Sequence, residues 1–251
     1  MPIEREELPV DILFVGAGPA CLTSALHLKK QLAAMNQDDI EVAVIEKAQT
    51  IGAHILSGAV VDPRPISELL GEDWRDSGLP VEAWVEKEEV RHLSEKNAFR
   101  IPVPPMLKNH GFPVINLSEM VCWLKDRCED AGVMVFEGFP GDSFLRDEAG
   151  HVAGVRTMDK GLDSSGLPGP GFEPGADIHA RCTVLGEGVL GSLTKQLIEQ
   201  EDLQGRNPQI YGTGGKELWQ LPEGRFPPGK VLHTSGWPLP STQYGGSWIY
   251  G

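Results

Sequence analysis

Apolar positions near the start of the chain fall in the order that a parallel sheet and its crossover helix require. Val10 to Val15 (VDILFV) is an apolar run of strand length, followed by the turn Gly16-Ala17-Gly18-Pro19-Ala20-Cys21. Leu22, Ala25, Leu26 and Leu32 then recur on one face of a helix that has Lys29 and Lys30 near its end. Glu41 to Glu46 (EVAVIE) predicts the second parallel strand, reached by a right-handed crossover. Asn116 or Ser118 can cap a helix running to about Ala131, with Met120, Leu124 and Cys128 at four-residue spacing. Gly132 stops that helix, and a strand restarts over Val133 to Phe136.

Ser143 to Thr157 alternates around Asp147-Glu148-Ala149-Gly150 and predicts a hairpin. Lys160 to Gly175, rich in Gly, Pro, Ser and Asp, reads as an exposed excursion. The chain re-enters the core at Ile178 to Leu185, meets Gly186-Glu187-Gly188 and begins a helix near Ser192. Beyond Pro208, strands around Tyr211 to Leu221, Val231 to Trp237 and Tyr244 to Tyr250 predict antiparallel sheet, a texture unlike the opening. The second domain therefore starts in this β-rich part.

Composition bounds the functions open to such a chain. Its 251 residues, 40% of them hydrophobic, suffice for one large domain or two smaller ones. A net charge of −14 argues against nucleic acid and against a polybasic membrane patch. No apolar run approaches the roughly 20 residues that span a bilayer. Met1 to Pro9 is acidic, so neither a secretory signal nor a mitochondrial presequence is expected; the chain reads as a bacterial-type cytosolic-side protein or a mature one. The four cysteines, Cys21, Cys122, Cys128 and Cys182, show no metal spacing and read as free or buried thiols.

The glycine turn carries the first chemistry. Between a buried strand and a helix, such a turn lets backbone N–H groups approach a pyrophosphate, and the helix N-terminus adds partial positive charge. Glu46 ends the next strand, where an acid that accepts ribose hydroxyls is expected, with Lys47 beside it. The candidate dinucleotide site is thus Val15, Gly16, Ala17, Gly18, Pro19, Ala20, Cys21, Glu46 and Lys47. Glu187 and Gly188 join it if Gly186-Glu187-Gly188 is a second nucleotide-proximal turn; the alternative is a strand-terminating loop. Cys21 replaces the third glycine of the fingerprint, where a thiol should widen the helix–strand crossing and weaken binding. His54, His110 and His233 read as structural or flavin-proximal, and no Ser–His–Asp set can be assembled. The absence of a side-chain nucleophile suits a cofactor that carries the chemistry itself.

The fingerprint is followed by Gly52-Ala53-His54-Ile55-Leu56-Ser57-Gly58-Ala59 and Asp62-Pro63, then by Ile101-Pro102-Val103-Pro104-Pro105-Met106, Asn109-His110-Gly111 and Trp123-Leu124. Later come Gly171-Phe172-Glu173-Pro174-Gly175, Ser192-Leu193-Thr194-Lys195-Gln196-Leu197, Lys216-Glu217-Leu218-Trp219, Gly236-Trp237-Pro238-Leu239 and Tyr244-Gly245-Gly246-Ser247. In these runs the chain resembles the electron transfer flavoprotein–ubiquinone oxidoreductases over nearly its whole length. The resemblance implies an α/β fold: a glutathione-reductase-type FAD-binding domain over 1–205, then the start of an antiparallel β-rich ubiquinone-binding domain over 206–251, incomplete here.

Further implications concern partners. Electrons pass from reduced electron transfer flavoprotein to ubiquinone, FAD lies on the glycine turn, and the quinone head is held by main-chain atoms at Gly245 and Gly246. An iron–sulfur (4Fe-4S) cluster belongs to the family, with ligands outside this chain. The resemblance also implies monotopic docking on a membrane through about Ala53 to Trp74, where Ile55, Leu56, Ile66, Leu69, Leu70 and Trp74 supply apolar contact. The location is then the cytoplasmic face of a bacterial inner membrane, or the mitochondrial inner membrane for a mature eukaryotic form. Val189-Leu190 stands where relatives have a cysteine and an arginine. The second Gly-Asp flavin motif, the cluster cysteines and the iron–sulfur domain are missing, so the chain is expected to be a fragment or one half of a split protein. Two alternatives stand beside this: a geranylgeranyl-reductase-like flavoprotein, and a non-catalytic FAD-binding fragment.

Overall fold

The computed structural model describes residues 3–56 and 58–251. In chain order the regular elements begin with β1 (Glu7–Val15), α1 (Pro19–Ala34), β2 (Val42–Glu46), β3 (Gly58–Val60) and α2 (Pro63–Leu70). Next come β4 (Ala83–Trp84), β5 (Lys87–Leu93), β6 (Ala98–Ile101), β7 (Pro113–Asn116), α3 (Leu117–Asp130) and β8 (Val133–Glu137). They end with β9 (Gly141–Arg146), β10 (Val152–Thr157), β11 (Lys160–Leu162), β12 (Pro168–Glu173), β13 (Asp177–Leu185), α4 (Ser192–Gln200), β14 (Lys230–Gly236) and β15 (Gly246–Tyr250).

These elements cluster into two compact units, one of residues 1–55 and 120–214, the other of residues 56–119 and 215–251. The units divide the chain differently from the expected boundary at 206, because the stretch from Leu56 to Glu119 gathers with the end of the chain. A contiguous reading misses this: the pairing that joins the two stretches spans more than a hundred residues and leaves no local signal.

The first unit is built on a mixed sheet in the order β8-β2-β1-β13-β10-β9 among the described residues. β8, β2, β1 and β13 run parallel, and β10 and β9 complete the sheet as an antiparallel hairpin. Leu13, Val15, Ala43, Ile45, Val155, Ile178 and Leu193 form its core. Near-continuous apolar sequence in β1 and β2 is what a strand covered on both faces requires. Proline at the start of α1 sets φ for the first turn, and Cys21, Leu22, Ala25, Leu26 and Leu32 are buried. Lys29 is buried too; its ammonium donates to Ile40 O at 3.2 Å and to Asp38 O at 3.5 Å, tying the helix to the loop that enters β2. On α3, Cys128 donates to Leu22 O at 3.2 Å, and burial pushes its thiol up to about 12. Asn116 Oδ1 accepts from Ser118 N at 3.1 Å at the start of α3. The 160–175 excursion is largely exposed, with Gly175 buried where it rejoins the sheet, and β11 and β12 pair within it as a two-stranded ribbon.

The second unit holds a sheet in the order β15-β14-β5-β6 and a smaller one in the order β3-β7-β4 among the described residues. β14 pairs antiparallel with β15 but parallel with β5, so the expected purely antiparallel sheet is mixed. Residues Tyr211 to Leu221, read from sequence as a strand, form no regular element: the stretch is exposed throughout and carries Gly212, Gly214 and Gly215. Apolar and aromatic residues make a strand only where a neighbouring ladder accepts them.

The apolar set assigned to membrane docking is largely inward-facing. Ile66, Leu69 and Trp74 are buried, Ile55 and Leu70 are half-buried, and Leu56 is exposed. Trp74 lies 5.8 Å from Trp84, and Arg75 stacks over Trp84 at 4.3 Å. Ile66, Leu69 and Trp74 thus serve the core of their unit rather than an outer apolar face. No described helix is long and apolar enough to cross a membrane.

Candidate functional site

The turn from Val15 to Cys21 sits where β1 gives way to α1 at the carboxyl end of the parallel strands. Gly16 N donates to Ile45 O at 2.8 Å and Gly186 N donates to Val15 O at 2.9 Å, so the ends of β1, β2 and β13 are locked together there. Gly16 has φ +100°, and a Cβ on it would lie 2.6 Å from Gly186 O. Only glycine meets both demands.

Gly18 differs. Its φ of −77° suits any residue, and a Cβ built on it would meet nothing within 4 Å. The space over Gly18 is therefore open on the protein side. It faces the start of α1, which carries no side-chain cap and no acidic residue in its first turn. A helix N-terminus of this kind favours an anion.

Glu46 closes the turn. Its Oε2 accepts from Ala17 N and its Oε1 from Ala48 N, each at 2.8 Å. The carboxylate keeps lone pairs beyond these two bonds, since each oxygen can accept twice. Lys47 is exposed beside it, while Ala17 is buried and Pro19 and Ala20 open the helix.

Cys21 is accommodated by a second glycine. Its Sγ lies 3.7 Å from Val15 O, and a Cβ on Gly186 would overlap it. The thiol occupies the space that the missing side chain of Gly186 leaves. Burial, and then the nearby Glu46 charge, push it up to about 11, so it stays protonated at neutral pH.

Glu187 turns away to a different task. Its carboxylate accepts from Ser192 N at 3.0 Å, Leu193 N at 3.1 Å, Thr194 N at 2.7 Å and Thr194 Oγ1 at 2.8 Å. It caps α4, and Gly188, with its open surroundings, lets the chain turn between. The sequence therefore brings Val15 to Cys21, Glu46 and Gly186 together, but spends the Glu187 side chain on a helix end.

Sequence reasoning missed a second carboxylate, at the end of the neighbouring strand, that holds the far end of the loop after Glu46. Glu137 Oε1 accepts from Ile51 N at 2.6 Å and Oε2 accepts from Lys125 Nζ at 2.9 Å. The signal was available: β2 and β8 both end on glutamate, as VIE and VFE, and glycine follows the second.

Gly245 and Gly246 belong to the second unit. A Cβ on Gly246 would overlap Thr234 O of the neighbouring strand, which requires glycine there on packing grounds alone. At Gly245 a Cβ would meet the Leu239 side chain at 2.7 Å, a neighbour that can rotate away. His233, on β14, has a buried Nε2 without a hydrogen-bond partner among the described residues, and burial lowers its pKa. His54 and His110 are exposed, and Ser57 of the Gly52 to Gly58 run lies outside the described residues.

The fold has likenesses among solved structures. It is similar to a geranylgeranyl bacteriochlorophyll reductase-like protein from Thermoplasma acidophilum, with a TM-score of 0.64 at 15% identity over 98% of this chain and 54% of that one. It is also similar to the flavin-dependent monooxygenase PieE, with a TM-score of 0.52 at 16% identity over 78% of this chain and 32% of that one.

Sequence is more specific. The chain is 44% identical over 99% of its length to a probable electron transfer flavoprotein–ubiquinone oxidoreductase, mitochondrial, of Schizosaccharomyces pombe, and covers 39% of it. The proteins of that name from Bos taurus and Homo sapiens are 43% and 42% identical over 99% of this chain, which covers 40% of each. The family model described as "ETF-QO, ubiquinone-binding" matches residues 211–251. By sequence the chain is similar to electron transfer flavoprotein–ubiquinone oxidoreductases over 99% of its own length, and it spans about two fifths of the length of the curated relatives it matches.

Proposed function

We propose that this chain provides the FAD site, and the start of the quinone site, of an enzyme that passes electrons from reduced electron transfer flavoprotein to ubiquinone. One observation carries the reading: in a chain so related, an uncapped helix N-terminus, an unobstructed Gly18 and the Glu46 carboxylate meet in one turn. The residues present fit the cofactor. Backbone from Val15 to Cys21 would hold the pyrophosphate, Glu46 the ribose hydroxyls, and Lys47 the rim of the site. Gly188 follows at the neighbouring strand end. Glu187 supports that strand end through α4 rather than by contact. FAD, when bound, supplies the electron exchange, and the protein binds and orients it.

The parallel sheet with its crossover helix supports a glutathione-reductase-type FAD domain in the first unit. The family match over 211–251 supports a quinone role for the second, with Gly245 and Gly246 as main-chain contacts. An iron–sulfur cluster would have to sit on parts of the family's length that this chain does not span. Of the two locations set out above, the mitochondrial inner membrane is the one the relatives' names support. Monotopic docking would rest on Leu56 and its exposed neighbours, not on the buried Ile66, Leu69 and Trp74. A geranylgeranyl-reductase-like function has the likeness in fold on its side, yet at 15% identity that likeness is one of fold only.

The test adds FAD to the purified chain, then reduced electron transfer flavoprotein and a short-chain ubiquinone. The expected result is bound flavin by visible absorption, followed by quinone reduction. Protein that stays colourless in excess FAD would overturn the reading. Bound flavin without quinone reduction would leave the nucleotide assignment standing and remove the quinone assignment for this chain alone.

A further inference from the structure

Glu46 ends β2 and Glu137 ends β8, and the two residues pair in register on adjacent parallel strands. Past the paired strands the chain stays clamped. Phe139 N donates to Glu46 O at 2.8 Å, and Gly138 N donates to Ala48 O at 2.8 Å. Ile51 N donates to the Glu137 carboxylate at 2.6 Å, and Lys125 Nζ fixes its other oxygen at 2.9 Å. The segment from Glu46 to Ile51 is therefore gripped at both ends by the end of β8. Ala48 sits in the middle of the clamp: its N–H holds Glu46 Oε1, while its carbonyl is held by Gly138.

We propose that Glu137 is a positioning residue for the dinucleotide ribose, acting through the 46–51 turn to aim the Glu46 carboxylate. The inference rests on the FAD reading above and extends it by a residue that never needs to touch the cofactor. Its chemistry suits the task. A half-buried carboxylate held by an ammonium and a backbone N–H is kept ionised, and charge-assisted bonds of this kind are about twice as strong as neutral ones. Ile51 itself is buried at 2% exposure, so the far end of the turn is seated as well as bonded. Without the Glu137 bond the Ile51 end of the turn would lose its anchor, and Ala48 N, still tied through its carbonyl to Gly138 N, would be held less firmly relative to Ala17 N, so that the Glu46 oxygens would be aimed less sharply.

A double-mutant cycle on FAD affinity tests this, using the full chain, fluorescence titration and thermal unfolding on the same samples. Glu137→Ala should raise the Kd for FAD about tenfold in the wild-type background. In a Glu46→Ala background the same change should raise it by less than about twofold, because the carboxylate it aims is gone. Glu137→Gln and Lys125→Met provide variants of milder effect should Glu137→Ala fail to fold, and each should show the same dependence on Glu46. Equal fold-losses in both backgrounds would mark Glu137 as a support of the fold only and overturn the proposal. A wild-type chain that binds no FAD would sink the FAD reading and this inference together; binding with additive losses sinks this inference alone.

Discussion

Gly16→Ala is expected to destabilise the chain by about 3 kcal/mol or more and to remove FAD binding with it. Two independent costs converge at this position. A φ of +100° strains any side-chain-bearing residue, and the new Cβ would lie 2.6 Å from the carbonyl oxygen of Gly186. That oxygen belongs to backbone and cannot swing away. Gly186 is held in turn by its bond to Val15 O at 2.9 Å and by the Cys21 thiol packed beneath it. Relief would require β13 to part from β1 at the point where the strands are locked. Urea or thermal unfolding of the variant measures the loss directly, and an unchanged midpoint would show that the turn is looser than described.

Glu46→Ala is expected to raise the Kd for FAD by roughly 10- to 100-fold, the equivalent of losing one hydrogen bond to a charged group. The substitution does more than remove a ribose acceptor. Ala17 N is buried and donates to Glu46 Oε2, so its truncation leaves a main-chain donor without a partner inside the turn itself. Ala48 N loses its acceptor at the same time. Glu46→Gln separates these contributions: one amide oxygen can still accept from one backbone N–H, and the expected loss is smaller. Isothermal titration with FAD gives both values, and a Glu46→Ala chain that binds FAD as the wild type does would remove Glu46 from the site.

The opening β–α–β unit was legible because three physical signals coincide there. An apolar run of strand length, a glycine turn opening a one-faced apolar helix and an acid closing the next strand each agree with the others. The second unit was not legible in the same way. β5 reads KEEVRHL, a polar stretch; it is a strand because β14, far along the chain, pairs with it in parallel register. Its buried Glu89 is answered by Arg91 of the same strand at 2.6 Å and by Lys230 on β14 at 3.6 Å, the second a partner invisible to a local pattern. Tyr211 to Leu221 is the converse, with strand-like residues and no ladder to receive them.

Within the candidate site, the same division between local and long-range information holds. Gly16, Gly18 and Glu46 could be named from spacing, because the turn is local. Gly186-Glu187-Gly188 reads from sequence as a second nucleotide-proximal turn or a strand-terminating loop, and the spacing gives no sign that the Glu187 carboxylate reaches the first turn of α4, a helix cap across Gly191. Glu137 escaped notice because its partners, Ile51 and Lys125, come together only through the register of β2 and β8. Cys21 looked like a defect in the fingerprint. In the fold its thiol and the absent side chain of Gly186 share one space.

Gly18→Ala is the most direct test of where the dinucleotide lies. The position tolerates a side chain as far as the protein is concerned: φ is −77° and nothing lies within 4 Å of the new Cβ. Unfolding stability should therefore change by no more than about 1 kcal/mol, the cost of alanine rather than glycine at a helix N-cap. If the pyrophosphate crosses the turn there, the added methyl group occupies its path, and the Kd for FAD should rise by at least about tenfold in a chain that remains folded. A Gly18→Ala chain with wild-type stability and wild-type FAD affinity would contradict FAD binding at this turn.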